Sequence, residues 1–288
     1  MNLIRYSDPT ELWEKISPHL LEHEAANNLF VGILKSISDN PSQQSPDHLW
    51  FTVEDNGAIL LAGWRTPPFG YGLWSPVVET TEALQCFINF LETEGMDIAG
   101  AVGKPALVDS YTDLAMPRFR LENTFTMNQG IYECREVDQS LLERGSIRPV
   151  SMDEIEKLTD WMIAFHIESL NQEPLRSEAR ENLKTDIENG LYFFYEEDGK
   201  VLSTLATARP MVHGISVNMV YTPPEYRKRG YASSSVAQLT QKLLDDGWQF
   251  TALFTDLDNP TSNRIYQKIG YRFVGESKHV QLRPRPGG

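Results

Sequence analysis

Residues 217–232 read VNMVYTPPEYRKRGYA. Val217–Tyr221 has the β-branched and aromatic content of a strand. Pro223 and Pro224, which have no backbone N–H to give, end it. Near Gly230 or Tyr231 a helix is expected to begin and to run to about Asp246, with Ala232, Val236, Leu239 and Leu243 as its inward stripe and Gly247 as its stop. The N–H groups of a helix's first turn have no partner inside the helix, and the aligned peptide dipoles add partial positive charge there. A glycine at that point lets an anion approach the backbone. Arg227, Lys228 and Arg229 add cationic side chains in a chain whose formal net charge is −14. A pyrophosphate is the guest that suits such a turn; a solvated basic turn is the plainer alternative.

Working outward, residues 147–170 open as a short strand and continue as an amphipathic helix, with Ile155, Leu158, Trp161, Met162 and Phe165 at helical spacing. A second helix is expected over 176–189, stopping at Asn189-Gly190. LYFFYEE and KVLSTLATA flank Asp198-Gly199, a strong hairpin signal, and His213-Gly214 turns the chain into ISVNMVY. Beyond the basic turn and its helix, FTALFT reads as a buried strand. Asn259-Pro260 starts a helix, with Asn as its cap and Pro in its first turn, that runs to Gly270. Two strands, YRFVG and KHVQLR, follow, and the tail RPRPGG is expected to be disordered.

The N-terminal half repeats this order more faintly. Residues 10–38 are helical, and HLWFTVE and AILLAGW flank the hairpin turn Asp55-Asn56-Gly57. LWSPVV is a strand, 80–94 a helix, DIAGAV a strand, 105–115 a helix, with strands over 118–135. The polar stretch Glu136–Ser146 divides the halves, and residues 39–47, DNPSQQSPD, read as a polar loop.

Arg227-x-x-Gly230-x-Ala232, between a strand and a helix, resembles the R/Q-x-x-G-x-G/A motif of the GNAT acyltransferases, and the lead-in TPPEYR is similar to theirs. The fuller pattern resembles uncharacterised bacterial acetyltransferases of the FR-type branch. Asn259-Pro-x-Ser-Asn263-x-x-Tyr266-x-x-x-Gly270-Tyr271 resembles the family's later motif. The two motifs cover about residues 215–275. The resemblance implies an α/β (α+β) fold with a mixed, mostly antiparallel sheet flanked by helices. Domains are expected at 1–137, degenerate or accessory, and at 147–283, catalytic. It further implies that acetyl-CoA is bound by backbone groups of Val220 and Tyr221 along the pantetheine, and by the turn Arg227, Lys228, Arg229, Gly230, Tyr231, Ala232 and Ser233 around the pyrophosphate. Asn259 would touch the cofactor arm, Asn263 that arm or its own helix, and Tyr266 would lie near the sulfur as general acid. Direct attack of a primary amine on the thioester is the implied reaction. The alternative is a module that binds acyl-CoA as ligand or sensor without turnover. Glu168, His166, Asn218 through a water, and Asp256 are all conceivable bases, and the residues do not choose among them.

Composition bounds the rest. At 288 residues, 41% hydrophobic and 23% charged, the chain is globular and long enough for two domains. Most of the excess acid lies in residues 1–137, which disfavours nucleic acid and suits a cationic acceptor, a small amine being favoured. No apolar run approaches the ~20 residues of a membrane span, and with no secretory signal a cytoplasmic protein is expected. Cys86 and Cys134 are too few for a disulfide framework and read as small buried hydrophobes; without CxxC or HExxH, no metal is expected. The first half lacks the phosphate motif. Its corresponding turn, Ser75-Pro76-Val77-Val78-Glu79-Thr80, places acid where the phosphate would go. The loop Thr66–Gly72 lines an acceptor pocket or is a plain surface loop. The Walker pattern G-x-x-x-x-G-K-[ST] is absent, which weighs against a nucleotide site.

Overall fold

The computed structural model describes residues 1–170 and 172–285. The chain forms two compact units. The first contains Met1–Ile131, Thr255–Asp258 and the chain from Val274 onward; the second contains Tyr132–Phe254 and Asn259–Phe273.

In the first unit, strand β1 (Asn2–Tyr6) precedes helices α1 (Pro9–Leu21) and α2 (Asn28–Asp39). Strands β2 (Leu49–Asp55), β3 (Ala58–Arg65) and β4 (Tyr71–Trp74) follow, then α3 (Thr81–Thr93), β5 (Ala101–Gly103), α4 (Pro105–Phe119) and the long β6 (Leu121–Cys134). β1 to β4 pair antiparallel in sequence order, and β4 pairs parallel with β5 after the crossover through α3. The β2–β3 turn places Asn56 and Gly57 at φ 49° and 83°, the left-handed pair that a tight hairpin needs. Leu84, Phe87, Ile88 and Leu91 of α3 pack on Phe51, Val53, Leu61 and Tyr71, with the Phe51 and Phe87 rings stacked 4.3 Å apart.

The second unit runs β7 (Ser146–Pro149), α5 (Ile155–Leu170), α6 (Arg176–Glu188), β8 (Tyr192–Glu197), β9 (Lys200–Ala208), β10 (Gly214–Tyr221), α7 (Tyr231–Asp245), β11 (Phe250–Asp256) and α8 (Pro260–Ile269); the last strand, β12 (Arg272–Pro284), belongs to the first unit from Val274 onward. β7 to β10 are again antiparallel neighbours, and β10 pairs parallel with β11 across α7. Two helices, four antiparallel strands and a parallel crossover thus recur in both units, within a mixed, mostly antiparallel sheet flanked by helices. Alternation along the strands gives the second unit two apolar faces. Phe193, Leu205, Ile215 and Val217 meet Val236, Leu239 and Leu243 of α7. Tyr192, Phe194 and Ala206 meet Leu158 and Met162 of α5 and Leu183 and Ile187 of α6.

Four local expectations change. β1, a short strand ahead of the first helix, was not foreseen from the sequence. β4 stops at Trp74 because Pro76, lacking an N–H, cannot extend a ladder. β5 covers only the end of DIAGAV: the carbonyls of Asp97 and Ala99 accept from the hydroxyls of Tyr71 (2.7 Å) and Tyr111 (2.9 Å). β12 is one strand rather than two. It reaches Pro284, and Lys278–Val280 pair with Ala101–Gly103 of β5. Of the tail expected to be disordered, Arg283 and Pro284 belong to β12, and residues 286–288 lie outside the described residues.

Candidate active site

β10 pairs with β11 only over Gly214–Ser216, so Val217–Tyr221 has left its parallel neighbour. On its other side, β10 pairs with β9 at Asn218↔Ala206 and next at Tyr221↔Thr204, a bulge that spends an extra residue. Met219, at φ 52°, absorbs the irregularity. Strand divergence and bulge together turn the backbone around Val220 away from regular pairing. The expected strand end therefore carries an opening between two strands, with Val220 and Tyr266 packed against the same apolar cluster.

From Tyr221 the chain passes Thr222 and Pro223 and makes a short 3-10 turn over Pro224–Tyr226. Lys228 sits at φ 63° and Gly230 at φ 88°. Left-handed residues spaced in this way turn successive N–H groups toward one side, a concavity suited to anions. Gly230 is the residue before α7, and no side chain caps that helix. A Cβ on Gly230 would meet only the Arg144 guanidinium, at 3.9 Å, so the space beside residue 230 is open. The residues present therefore fit a diphosphate: uncapped amides over Tyr231–Ser233, and Lys228 and Arg229, whose side chains make no hydrogen bond or ion pair among the described residues.

Arg227 is placed differently. Its Nη2 lies 2.5 Å from Glu168 Oε2 on α5, and its Nε donates to the Thr222 carbonyl at 2.8 Å. Its guanidinium carbon stands 5.6 Å from the centre of the Tyr221 ring. The Tyr221 hydroxyl donates to the other Glu168 oxygen at 2.9 Å. Burial, and then the Glu168 carboxylate, push that phenol up to about 12. On the far side of the turn, Arg144 forms a two-point pair with Glu197 (3.1 and 3.0 Å) while its Nη1 donates to the Arg229 carbonyl at 3.3 Å. Nothing in the sequence spacing joins 168 to 227 or 144 to 229, and Arg144 reads there as part of a polar divider.

On α8, Asn259 caps the helix by accepting from the Ser262 N–H at 3.2 Å, and Asn263 donates to the Asn259 carbonyl at 2.8 Å. Tyr266, half-buried and edge-on to Tyr271 with ring centres 5.9 Å apart, has its phenol pushed up to about 12 by burial. Of the conceivable bases, His166 has Nδ1 on the Met162 carbonyl at 2.8 Å, and Asp256 accepts from the Asp258 N–H at 2.9 Å. The side-chain oxygen of Asn218, beside the bulge, is buried without a hydrogen-bond partner. Burial raises the Cys134 thiol to about 11, which keeps it protonated and unreactive. In the Thr66–Gly72 loop, Phe69 is 71% exposed. Among the described residues, no group of three or more His, Cys, Asp or Glu side chains could hold a metal ion, and no helix is long and apolar enough to cross a membrane.

Residues 155–271 match the model of the acetyltransferase (GNAT) family. No curated protein matches the chain. Among solved structures, a GNAT-family acetyltransferase from Colwellia psychrerythraea is 11% identical, with 98% of this chain and 100% of that one covered at a TM-score of 0.58. A Drosophila protein is 12% identical with 98% of each chain covered, TM-score 0.64. A GCN5-related N-acetyltransferase from Sphaerobacter thermophilus is 11% identical with 99% and 97% covered, TM-score 0.63. At these identities the likeness is one of fold, and it extends over nearly the whole chain.

Proposed function

We propose, from the match of residues 155–271 to the acetyltransferase (GNAT) family model, that the protein is a cytoplasmic N-acyltransferase that moves an acetyl group from acetyl-CoA to a primary amine. The observation that carries this reading is the uncapped start of α7, opened by Gly230 at φ 88° next to a strand that has left its neighbour after Ser216.

Bound acetyl-CoA supplies a thioester already activated for attack. The residues of the second unit then divide the work. Amides over Lys228–Ser233 hold the diphosphate, helped by Lys228 and Arg229. Backbone groups of Val220 and Tyr221 hold the pantetheine, and the Val220 N–H meets the negative charge that develops on the carbonyl oxygen. Asn259 and Asn263 keep the start of α8 in register beside the arm. Tyr266 donates its phenolic proton to the departing thiolate. With a pKa of about 12 the phenol is fully protonated at neutral pH. Holding amine and thioester together supplies much of the acceleration, roughly several kcal/mol in well-aligned systems. The first unit, whose corresponding turn carries Glu79, serves as an accessory domain without a cofactor.

A second reading, an acyl-CoA-binding module without turnover, draws on the same pKa: a phenol at about 12 gives up its proton less readily than an ordinary one. The two separate on one experiment. With acetyl-CoA and a panel of small primary amines, amine-dependent release of free thiol is expected. Saturable binding with no release above the buffer rate would leave only the module.

A further inference from the structure

The turn before α7 is held from both sides by the same device, an arginine that reaches a backbone carbonyl of the turn while a glutamate grips its guanidinium. Arg227 reaches the Thr222 carbonyl with Glu168 behind it, and Arg144 reaches the Arg229 carbonyl with Glu197 behind it. Each glutamate belongs to a regular element, Glu168 to α5 and Glu197 to β8, so each arginine ties the turn to the body of the unit. Both oxygens of the Glu168 carboxylate are engaged, one by the Tyr221 hydroxyl and the other by Arg227. A carboxylate paired with a guanidinium and a phenol is a weaker acceptor for an ammonium proton than a free one, and two of the five guanidinium N–H donors are committed to the turn and to Glu168.

We infer that Glu168 is a positioning residue: through Arg227 it braces the diphosphate-binding turn, and the phosphates themselves are left to the backbone amides and to Lys228 and Arg229. The inference rests on the acyl-CoA reading above. It takes Arg227, the first residue of the motif, out of direct contact with the cofactor and gives it a structural task in the turn that makes that contact. It also removes Glu168 from the candidates for general base.

The test compares Glu168→Gln, Arg227→Met and the double variant by calorimetry with acetyl-CoA and with acetyl-pantetheine, which has the same thioester and arm but no diphosphate. Both guanidinium and carboxylate are partly exposed, so loss of the pair should weaken acetyl-CoA binding only about threefold. Acetyl-pantetheine binding should be unchanged, and E168Q should add nothing in the R227M background. Tighter acetyl-CoA binding by E168Q would mean that Glu168 restrains an arginine meant for the phosphates, and would overturn the inference. So would unaltered affinity, additive effects in the double variant, or a lost kcat with intact affinity, the mark of a base. If the wild type bound no acetyl-CoA, the acyl-CoA reading would fall and this one with it. Binding in the wild type with an unaltered E168Q would overturn this one alone.

Discussion

The two units place a turn at the same point in their topology, between the fourth antiparallel strand and the crossover helix, and the two turns are built for different ends. In the first unit β4 stays paired with β5 up to Leu73, one residue from the strand's end. In the second, β10 leaves β11 five residues before it finishes. The first turn fills its own polar groups. Ser75 Oγ accepts from the Val77 N–H at 3.1 Å and donates to the Leu60 carbonyl at 2.7 Å, and Glu79 accepts from Thr81 N–H, the first amide of α3, at 3.1 Å. The Thr81 hydroxyl, and after it that amide, hold the Glu79 carboxyl below its ordinary pKa. The second turn has Gly230 at the cap where the first has Thr80 preceded by Glu79, and no side chain caps its helix. A shared topology thus provides the place for an anion, while the residues at the helix start decide whether the amides are already taken.

The largest effect should come from making the second turn like the first. Gly230→Glu puts a side chain at positive φ and a carboxylate over the amides, and should weaken acetyl-CoA binding about a hundredfold or more. The space over Gly230 is open, so near-UV circular dichroism should show an intact fold. Unchanged affinity by calorimetry would end the comparison. Next comes Tyr266→Phe, which should lower kcat about a hundredfold with little change in acetyl-CoA affinity, the usual scale for removing a general acid. Equal rates would reduce Tyr266 to a packing residue.

A smaller difference separates the units in acid. Arg148, by a fork of 2.7 and 2.8 Å, holds Glu154 down to about 2 at the entrance to α5. In the first unit, burial pushes Glu54 up, but hydrogen bonds from Lys15, Thr52 and Tyr6 outweigh it and leave the carboxyl below its ordinary value. For a carboxylate depressed in the folded state, the stabilisation is full above the unfolded pKa and is lost as pH falls through the folded one. Glu154→Gln should therefore cost about 1–2 kcal/mol at neutral pH, discounted for partial exposure, in urea unfolding. The variant and the wild type should converge between pH 4.5 and about 2. A gap that persists at pH 2 would show that the clamp works by shape rather than charge. The smallest expected effect is none: Glu79→Gln should leave one acetyl-CoA bound per chain with unaltered affinity. A second equivalent bound by this variant would show that the first turn is closed only by its acid.

Sequence made the local decisions legible. Asn56-Gly57 and Asp198-Gly199 turn because each pair takes up left-handed backbone, and Asn259-Pro260 starts a helix because a cap and a fixed φ act within one turn of chain. The motif's glycine falls where α7 begins for the same local reason. Departures arise where distant residues decide. Met219 has positive φ because of how β9 and β11 pair around β10, which no window around residue 219 contains. Glu168 could be weighed as a base in sequence, but its partner stands 59 positions away. The shortened β5 depends on two tyrosine hydroxyls from elsewhere in its unit.

The first unit completes the pairing of β5 with residues 278–280. Its β5 is flanked on one side by β4 and on the other by residues 278–280, while Lys278 also pairs with Asp109 of α4. During translation, then, the earliest-made unit waits for a strand that leaves the ribosome after everything in the second unit has been synthesised, and until that moment β5 presents a bare edge to whatever chaperone or neighbouring nascent chain is at hand.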